Sequence, residues 1–320
     1  MSSPRAGTRR AAETGPILRV GQREIRVSHA DRVLFPEPGI TKGEIVEYYR
    51  RASPVMLPHV RGRPVMMQRL TDGLGGQVFY QKQISSHFPD WIHRVTVEKT
   101  GGTVTHVVCD DAATLVYIAN QGCITPHVWP SRADDPDRPD RLIFDLDPGP
   151  GGTDDARFAA HTSQRFLTEL GLVPFLMATG SRGFHVVVPI RRSDSFDSVR
   201  EVAAGLADAL ASREPDRLTT EFRKTERRGR LYVDWVRNTY AQTTVPPYAV
   251  RPRAQAPVAV PLDWDELDTA EPDGWTVRTV LDRLDRGSDP WRDIGRHARS
   301  LAKARRSLDP SPAAVRSRRR

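Results

Sequence analysis

Two aspartates one residue apart, Asp145 and Asp147, close the apolar run RLIFDLDPGPGG from Arg141 to Gly152. Strand side chains alternate between faces, so Leu142, Phe144 and Leu146 share one face while Ile143, Asp145 and Asp147 share the other. Carboxylates this close repel, and beside an apolar sheet each is driven toward protonation unless a cation compensates. A divalent metal is a natural compensator. Hard cations such as Mg²⁺ and Mn²⁺ take oxygen ligands and commonly combine one or two carboxylates with substrate phosphates. Standing alone, a D-x-D pair is more often two solvated acids at a strand end. A second apolar strand, RLYVDWVRN, adds Asp234 on the face opposite Leu231, Val233 and Trp235. Three acids on two strands match the ligand pattern of two-metal phosphoryl transfer.

Groups suited to a polyphosphate lie near these acids in the sequence. The turn ATGSRGFHVVVP offers backbone N–H groups around Gly180, the side chains of Thr179, Ser181 and Arg182, and His185 on the strand that follows. By itself such a turn is common, and a lone strand histidine is more often structural. Arg227, Arg228, Arg237 and Arg251 flank the Asp234 strand. Each alone reads as a surface charge, but with three acids they fit a nucleoside triphosphate whose charge must be neutralised.

These residues need a sheet to position them. Short strands are expected at ILRV and REIRVS as an opening hairpin, then at PVMMQRL, QVFYQK, VTVEK, VTHVVCD, RLIFDLD, PFLMATG, GFHVVVPI and RLYVDWV. Helices are expected at TKGEIVEYYRRASPVMLPHV, capped by Thr41, and over DARFAAHTSQRFLTELG and FDSVREVAAGLADALASRE. The mixture, with hairpins instead of strict βαβ alternation, predicts α+β layers and a largely antiparallel sheet. WPSRADDPDRPDR reads as an exposed, Pro-broken loop. The Pro-rich PPYAVRPRAQAPVAVPLDWDEL is expected to wrap the surface before the last helices. Residues 1–16 read as a flexible basic arm, 17–301 as one domain and 302–320 as a basic tail.

At 320 residues the chain can bury a sizeable core, and its formal charge of +8 with a pI near 9.8 favours a polyanionic partner. Cys109 and Cys123 lack zinc-ligand spacing and read as reduced core residues. No apolar stretch approaches membrane-spanning length and no signal peptide is evident, so a soluble, cytoplasmic protein is expected. Association with the nucleoid and a monomeric state are separate expectations.

With the D-x-D strand, the glycine turn leading to His185 and the third acid in that order, the chain resembles the archaeo-eukaryotic primase superfamily. It is most similar to the polymerase domain of the bacterial ATP-dependent DNA ligase D of non-homologous end joining. RVLFPEPGITKGEIVEYY, FYQKQ, GCITPHVWPSR, IFDLDP, FHVVVPI, VDWVRN and YAVRPRAQAPVAVPLDWDEL carry the likeness between about Ile17 and Leu301. The resemblance implies a primase-type fold whose catalytic sheet is an RRM-like palm flanked by helices, with an N-terminal α/β subregion. It implies Asp145, Asp147 and Asp234 as ligands for two divalent ions, Mn²⁺ favoured over Mg²⁺. It assigns His127, Thr179, Gly180, Ser181, Arg182, His185, Arg227, Arg237 and Arg251 to the NTP or dNTP. Thr179 stands where the family usually has Ser, and Arg182 where Lys is common. Lys42 and Arg32 match positions that read a DNA 5′-phosphate, Arg32 replacing Lys. Gln68 stands where a third basic residue is frequent. Phe79 and Tyr80 match an aromatic pair that stacks on template bases, their alternative being ordinary core packing.

The implied activity is template-directed nucleotidyl transfer, ribonucleotides preferred, at gaps and broken ends, with a Ku-like end binder and a separate ATP-dependent DNA ligase as partners. No K-x-D-G ligase motif and no end-trimming nuclease domain are found, so the expectation is either a stand-alone polymerase acting with such partners or a chain cut from a longer protein. Two rivals remain. A D-x-D phosphohydrolase uses its first Asp as nucleophile but typically has Thr where this chain has Gly149. A non-catalytic DNA end-binding module needs only a basic face.

Overall fold

The computed structural model describes residues 15–149, 151–287 and 289–308. The expected N-terminal arm, apart from its last two residues, and the last twelve residues of the expected tail lie outside them. The chain divides into two compact units. The first takes residues up to Trp129 together with Val245–Val260 and Asp273–Asp289, and the second takes the remainder.

In the first unit, β1 (Ile17–Val20) and β2 (Arg23–Arg26) pair antiparallel, as expected for the opening hairpin. β3 (Val33–Phe35) and β4 (Ile40–Thr41) make a second small pair that leads into helix α1 (Lys42–Val60). Thr41 accepts the Glu44 N–H while the Glu44 carboxylate accepts the Thr41 N–H, a reciprocal cap that sets where the helix begins. Ile45, Tyr48, Tyr49, Ala52 and Met56 form its buried face. A five-stranded sheet follows, from β5 (Pro64–Leu70), β6 (Val78–Gln81), β7 (Arg94–Lys99), β8 (Gly102–Val108) and β9 (Cys123–Val128). Helix α2 (Ala112–Asn120) lies between β8 and β9, and Cys109 and Cys123 are buried free thiols.

The Pro-rich segment after Val245 does not wrap the surface. Tyr248, Ala249, Val250, Val258 and Ala259 are fully buried in the first unit. Irregular backbone can be buried only where its polar groups find partners. Here the Tyr48 hydroxyl donates to the Tyr248 carbonyl at 2.8 Å, the Thr125 hydroxyl to the Val250 carbonyl at 2.5 Å, and the Tyr248 N–H reaches the Ala259 carbonyl at 2.7 Å.

The second unit opens with a hairpin, β10 (Ser131–Arg132) and β11 (Asp135–Pro139), where an unstructured loop was expected. Arg192 holds Asp134 at its tip through two 2.8 Å contacts. The main sheet comprises β12 (Arg141–Leu146), β13 (Phe175–Ala178), β14 (Phe184–Pro189), β15 (Leu218–Thr219), β16 (Leu231–Asp234) and β17 (Val260–Leu262) in the order β15-β16-β12-β14-β13-β17. The pairings of β12 with β14 and β16, and of β13 with β14, are antiparallel, while β15 and β16 run parallel. Pro261 thus sits in an edge strand, where a missing N–H costs no central ladder bond.

Leu142, Phe144 and Leu146 stand opposite Val188, Val186 and Phe184 on one fully buried face. Helices α3 (Thr153–Glu169) and α4 (Phe196–Arg213) pack on the sheet, the latter capped by Ser195. Ala302–Leu308, placed in the tail by the sequence, is a helix that packs on α4, with Ala304 buried and Arg305 bound to Asp194 at 2.7 Å. Among the described residues no helix is long and apolar enough to cross a membrane.

Candidate active site

On the other face of the main sheet, register alone assembles a row across four strands. Met177 of β13 stands opposite His185 of β14, His185 opposite Asp145 of β12, and Asp145 opposite Asp234 of β16. Two carboxylates therefore face each other on neighbouring strands, with an imidazole on the far side of the first. His185 Nε2 lies 3.5 Å from Asp145 Oδ1. Arg237, one turn beyond β16, reaches Asp145 at 3.4 Å and Asp234 at 3.8 Å. Asp147, just past the end of β12, is held by Arg182 at 2.8 Å.

Two features that sequence reasoning missed maintain this register. β16 is short, and the Asn238 side chain continues its pairing by accepting the Ile143 N–H at 2.8 Å and donating to the Ile143 carbonyl at 2.7 Å. A buried amide read from sequence carries no sign of such a role. Gly183 approaches the end of β12 so closely that a Cβ there would stand 2.1 Å from the Leu146 carbonyl oxygen. That approach seats the turn carrying Gly180, Ser181 and Arg182 beside Asp147. The Thr179 hydroxyl is buried and donates to the Gly183 carbonyl at 2.8 Å, so it closes the turn. The Gly180 N–H is likewise engaged, with the Pro272 carbonyl at 2.8 Å.

The acids open onto a cleft of about 460 Å³ whose cationic lining comprises Arg182, Arg227, Arg237, Lys224 and Arg230, the last two not singled out by the sequence. Burial raises the Asp234 carboxyl above the ordinary carboxylate range, and the neighbouring Asp145 charge adds to the shift, against the opposing Val236 N–H bond and Arg237. The folded chain therefore holds this proton to higher pH than the unfolded chain, and stability falls as pH rises from below the ordinary carboxylate value through the raised one. In chelator-treated buffer, Asp234→Asn is expected to melt at a higher temperature than the parent at pH 7. The gap should close as pH drops below the ordinary carboxylate value; an equal gap at both ends, or a lower midpoint, would contradict this account.

The oxygen donors of Asp145, Asp147 and Asp234 suit a hard divalent cation, and the charge that burial leaves unfavourable on Asp234 is what such an ion would relieve. Among the described residues no three His, Cys, Asp or Glu side chains stand at ligating geometry, the Asp147 carboxylate lying on Arg182.

The remaining predicted residues belong to the first unit. Lys42, Arg32 and Arg69 line a pocket of about 180 Å³. The buried Lys42 ammonium donates to the Ser28 carbonyl at 2.6 Å and hydroxyl at 2.9 Å. Burial first, then the charges of Arg32 and Arg69, lower its pKa to about 8. Arg69 was not anticipated. The sequence pointed to its neighbour Gln68, but the β5–β9 register shifts between the two, and Gln68 instead bonds His127 at 3.0 Å and the Tyr80 hydroxyl at 3.1 Å. Phe79 and Tyr80 are exposed on β6, which removes core packing as their explanation. Arg251 follows the isolated bridge between Val250 and Val258.

Residues 41–291 match the family described as LigD, primase-polymerase domain. The chain belongs to this family. The LigD primase-polymerase assignment extends to single relatives. The multifunctional non-homologous end joining protein LigD of Mycolicibacterium smegmatis is 34% identical over 268 residues, covering 83% of this chain and 35% of that protein. Its namesake from Pseudomonas aeruginosa is 33% identical over 308 residues, covering 95% and 36%. This chain thus spans about a third of the length of these relatives. Among solved structures, the polymerase domain of Mycobacterium tuberculosis ligase D in complex with DNA superposes with a TM-score of 0.80 at 32% identity, covering 87% of this chain and 99% of that one. A LigD primase-polymerase domain is a template-directed nucleotidyltransferase, and the α+β architecture with its antiparallel sheet is that of the family. Neither the phosphohydrolase nor the non-catalytic reading is favoured.

Proposed function

We propose that the chain adds nucleotides, ribonucleotides in preference, to the 3′ ends of DNA at gaps and breaks bearing a 5′-phosphate. The observation that carries the reading is the direct opposition of Asp145 and Asp234 across β12 and β16, beside Asp147, in a cation-rimmed cleft. At about 460 Å³ the cleft falls within the range of small-molecule sites, large enough for a nucleotide.

Asp145, Asp147 and Asp234 are the residues that would hold two divalent ions, Mn²⁺ or Mg²⁺. Bound there, such ions lower the pKa of the primer 3′-hydroxyl and offset charge on the leaving pyrophosphate. The sheet keeps Asp145 and Asp234 aligned, so orientation is set before substrate arrives. Arg182, Arg237 and Lys224 neutralise the triphosphate. His185 and Ser181 complete the cleft's share of the nucleotide contacts. In the first unit His127 and Arg251 are the proposed nucleotide-binding residues, and Phe79 and Tyr80 stack on template bases. The pocket of Lys42, Arg32 and Arg69 takes the 5′-phosphate. The names of the relatives, non-homologous end joining proteins, support a role in end joining. Its proposed partners are a Ku-like end binder and a separate ATP-dependent DNA ligase, and the chain acts as a monomer in the nucleoid.

The test is an extension assay on gapped DNA with and without a 5′-phosphate, comparing rNTPs with dNTPs in Mn²⁺ and Mg²⁺. Extension strongest with rNTPs, Mn²⁺ and the 5′-phosphate is expected. No extension in any arm would refute the polymerase reading.

A further inference from the structure

Phe222 is 74% exposed, and among the described residues no other large apolar side chain of the second unit is so open to solvent. It is also a lining residue of the acid cleft, where the other side chains are mostly charged. Its ring stands edge-on to Tyr232 at 6.4 Å and 85°. Tyr232 lies two residues before Asp234 on β16, hence on the same face as the acid.

The loop carrying Phe222 is braced in place. Arg227 donates from Nε to the Glu221 carbonyl at 3.1 Å and from Nη2 to the Phe222 carbonyl at 2.9 Å, and its guanidinium carbon lies 4.2 Å from the centroid of the Tyr232 ring. Two donors of the arginine expected to face triphosphate are thus spent on holding an aromatic residue at the cleft's mouth. A site for inorganic phosphates has no use for such a surface, whereas a nucleobase stacks on it and leaves its phosphates to the cations beyond.

We propose that Phe222, positioned by Arg227 and Tyr232, is a stacking platform for an unpaired nucleobase at the acid cleft, an inference that rests on the nucleotidyl-transfer reading. The base belongs either to the entering nucleotide or to a single-stranded DNA end. Phe222 acts by holding its ligand, so its removal weakens binding in a way that depends on the base.

Equilibrium binding of ATP, a single-stranded oligodeoxynucleotide and inorganic tripolyphosphate, each with Mn²⁺, tests this on the whole chain. Phe222→Ala is expected to weaken either ATP or the oligonucleotide by about five- to a hundredfold while Phe222→Tyr restores binding to within about twofold of the parent. Whichever ligand responds identifies the source of the base, and tripolyphosphate should bind the parent and the alanine variant alike. The proposal is overturned if neither base-bearing ligand is weakened, if tripolyphosphate is weakened equally, or if tyrosine fails to rescue. Primer extension run in parallel separates the two readings. A parent that extends while Phe222→Ala binds normally removes the platform alone, and a parent that never extends removes the polymerase reading whatever the stacking result.

Discussion

Asp145→Ala is expected to lower primer extension by on the order of a thousandfold or more, the equivalent of several kcal/mol of transition-state charge stabilisation. Asp145 occupies the centre of the row, with Asp234 directly across one strand pair and His185 across the other. Removing its carboxylate takes away a proposed metal ligand, leaves His185 without the acid it approaches and takes from Arg237 the nearer of the two acids it reaches. The backbone should hold, because β12 is anchored by Leu142, Phe144 and Leu146 on the opposite, buried face. Binding to 5′-phosphorylated gapped DNA should therefore stay within about twofold of the parent, since that contact is non-specific or made by other cations. Rapid-quench extension and equilibrium DNA binding on the same preparation check both halves. Retained extension would refute the metal-ligand role, and lost binding would mean the substitution damages more than the acid cleft.

How much of this could be read from the chain differs from residue to residue. Alternation in RLIFDLD placed both aspartates on the non-core face, and the core face it implied is fully buried. Alternation says nothing of which strands are neighbours, so the facing of Asp145 and Asp234 waited on the antiparallel register. Two cations of the small pocket, Lys42 and Arg32, were legible, but Arg69 was not, because a register shift beside Gln68 re-aims the side chains in a way that spacing by two cannot foresee. Composition misled most at the Pro-rich segment after Val245. Prolines there looked like surface loop, whereas three hydroxyl-bearing side chains distant in sequence, Tyr48, Tyr49 and Thr125, supply the hydrogen bonds that let it be buried. Partners that remote leave no local signature. The same applies to the two units, which interleave segments far apart along the chain.

The pocket around Lys42 makes the second large effect a pH-dependent one. Discrimination between 5′-phosphorylated and 5′-hydroxyl gapped DNA should fall by about thirtyfold or more in Lys42→Ala, the range found when one partner of a buried charge pair is truncated. The ammonium is unusual in being buried beside two other cations, and its pKa sits at about 8 instead of the ordinary 10.5. Below about pH 8 the lysine is charged in both the folded and unfolded chain, and the folded state bears the desolvation and repulsion. Between about 8 and 10.5 the folded chain has given up the proton while the unfolded chain keeps it, so that penalty is relieved as pH rises. Phosphate binding has the opposite preference, since a dianion favours the charged amine and opposes the charges of Arg32 and Arg69. In the parent, discrimination should therefore be greatest near pH 7, weaken as pH passes about 8, and approach the level of Lys42→Ala near pH 9.5 to 10. The variant should show no such slope across this window. Competition binding with the two DNAs from pH 6.5 to 10 at constant ionic strength measures it, and parent discrimination that stays flat across that range would show that Lys42 does not read the phosphate through its charge.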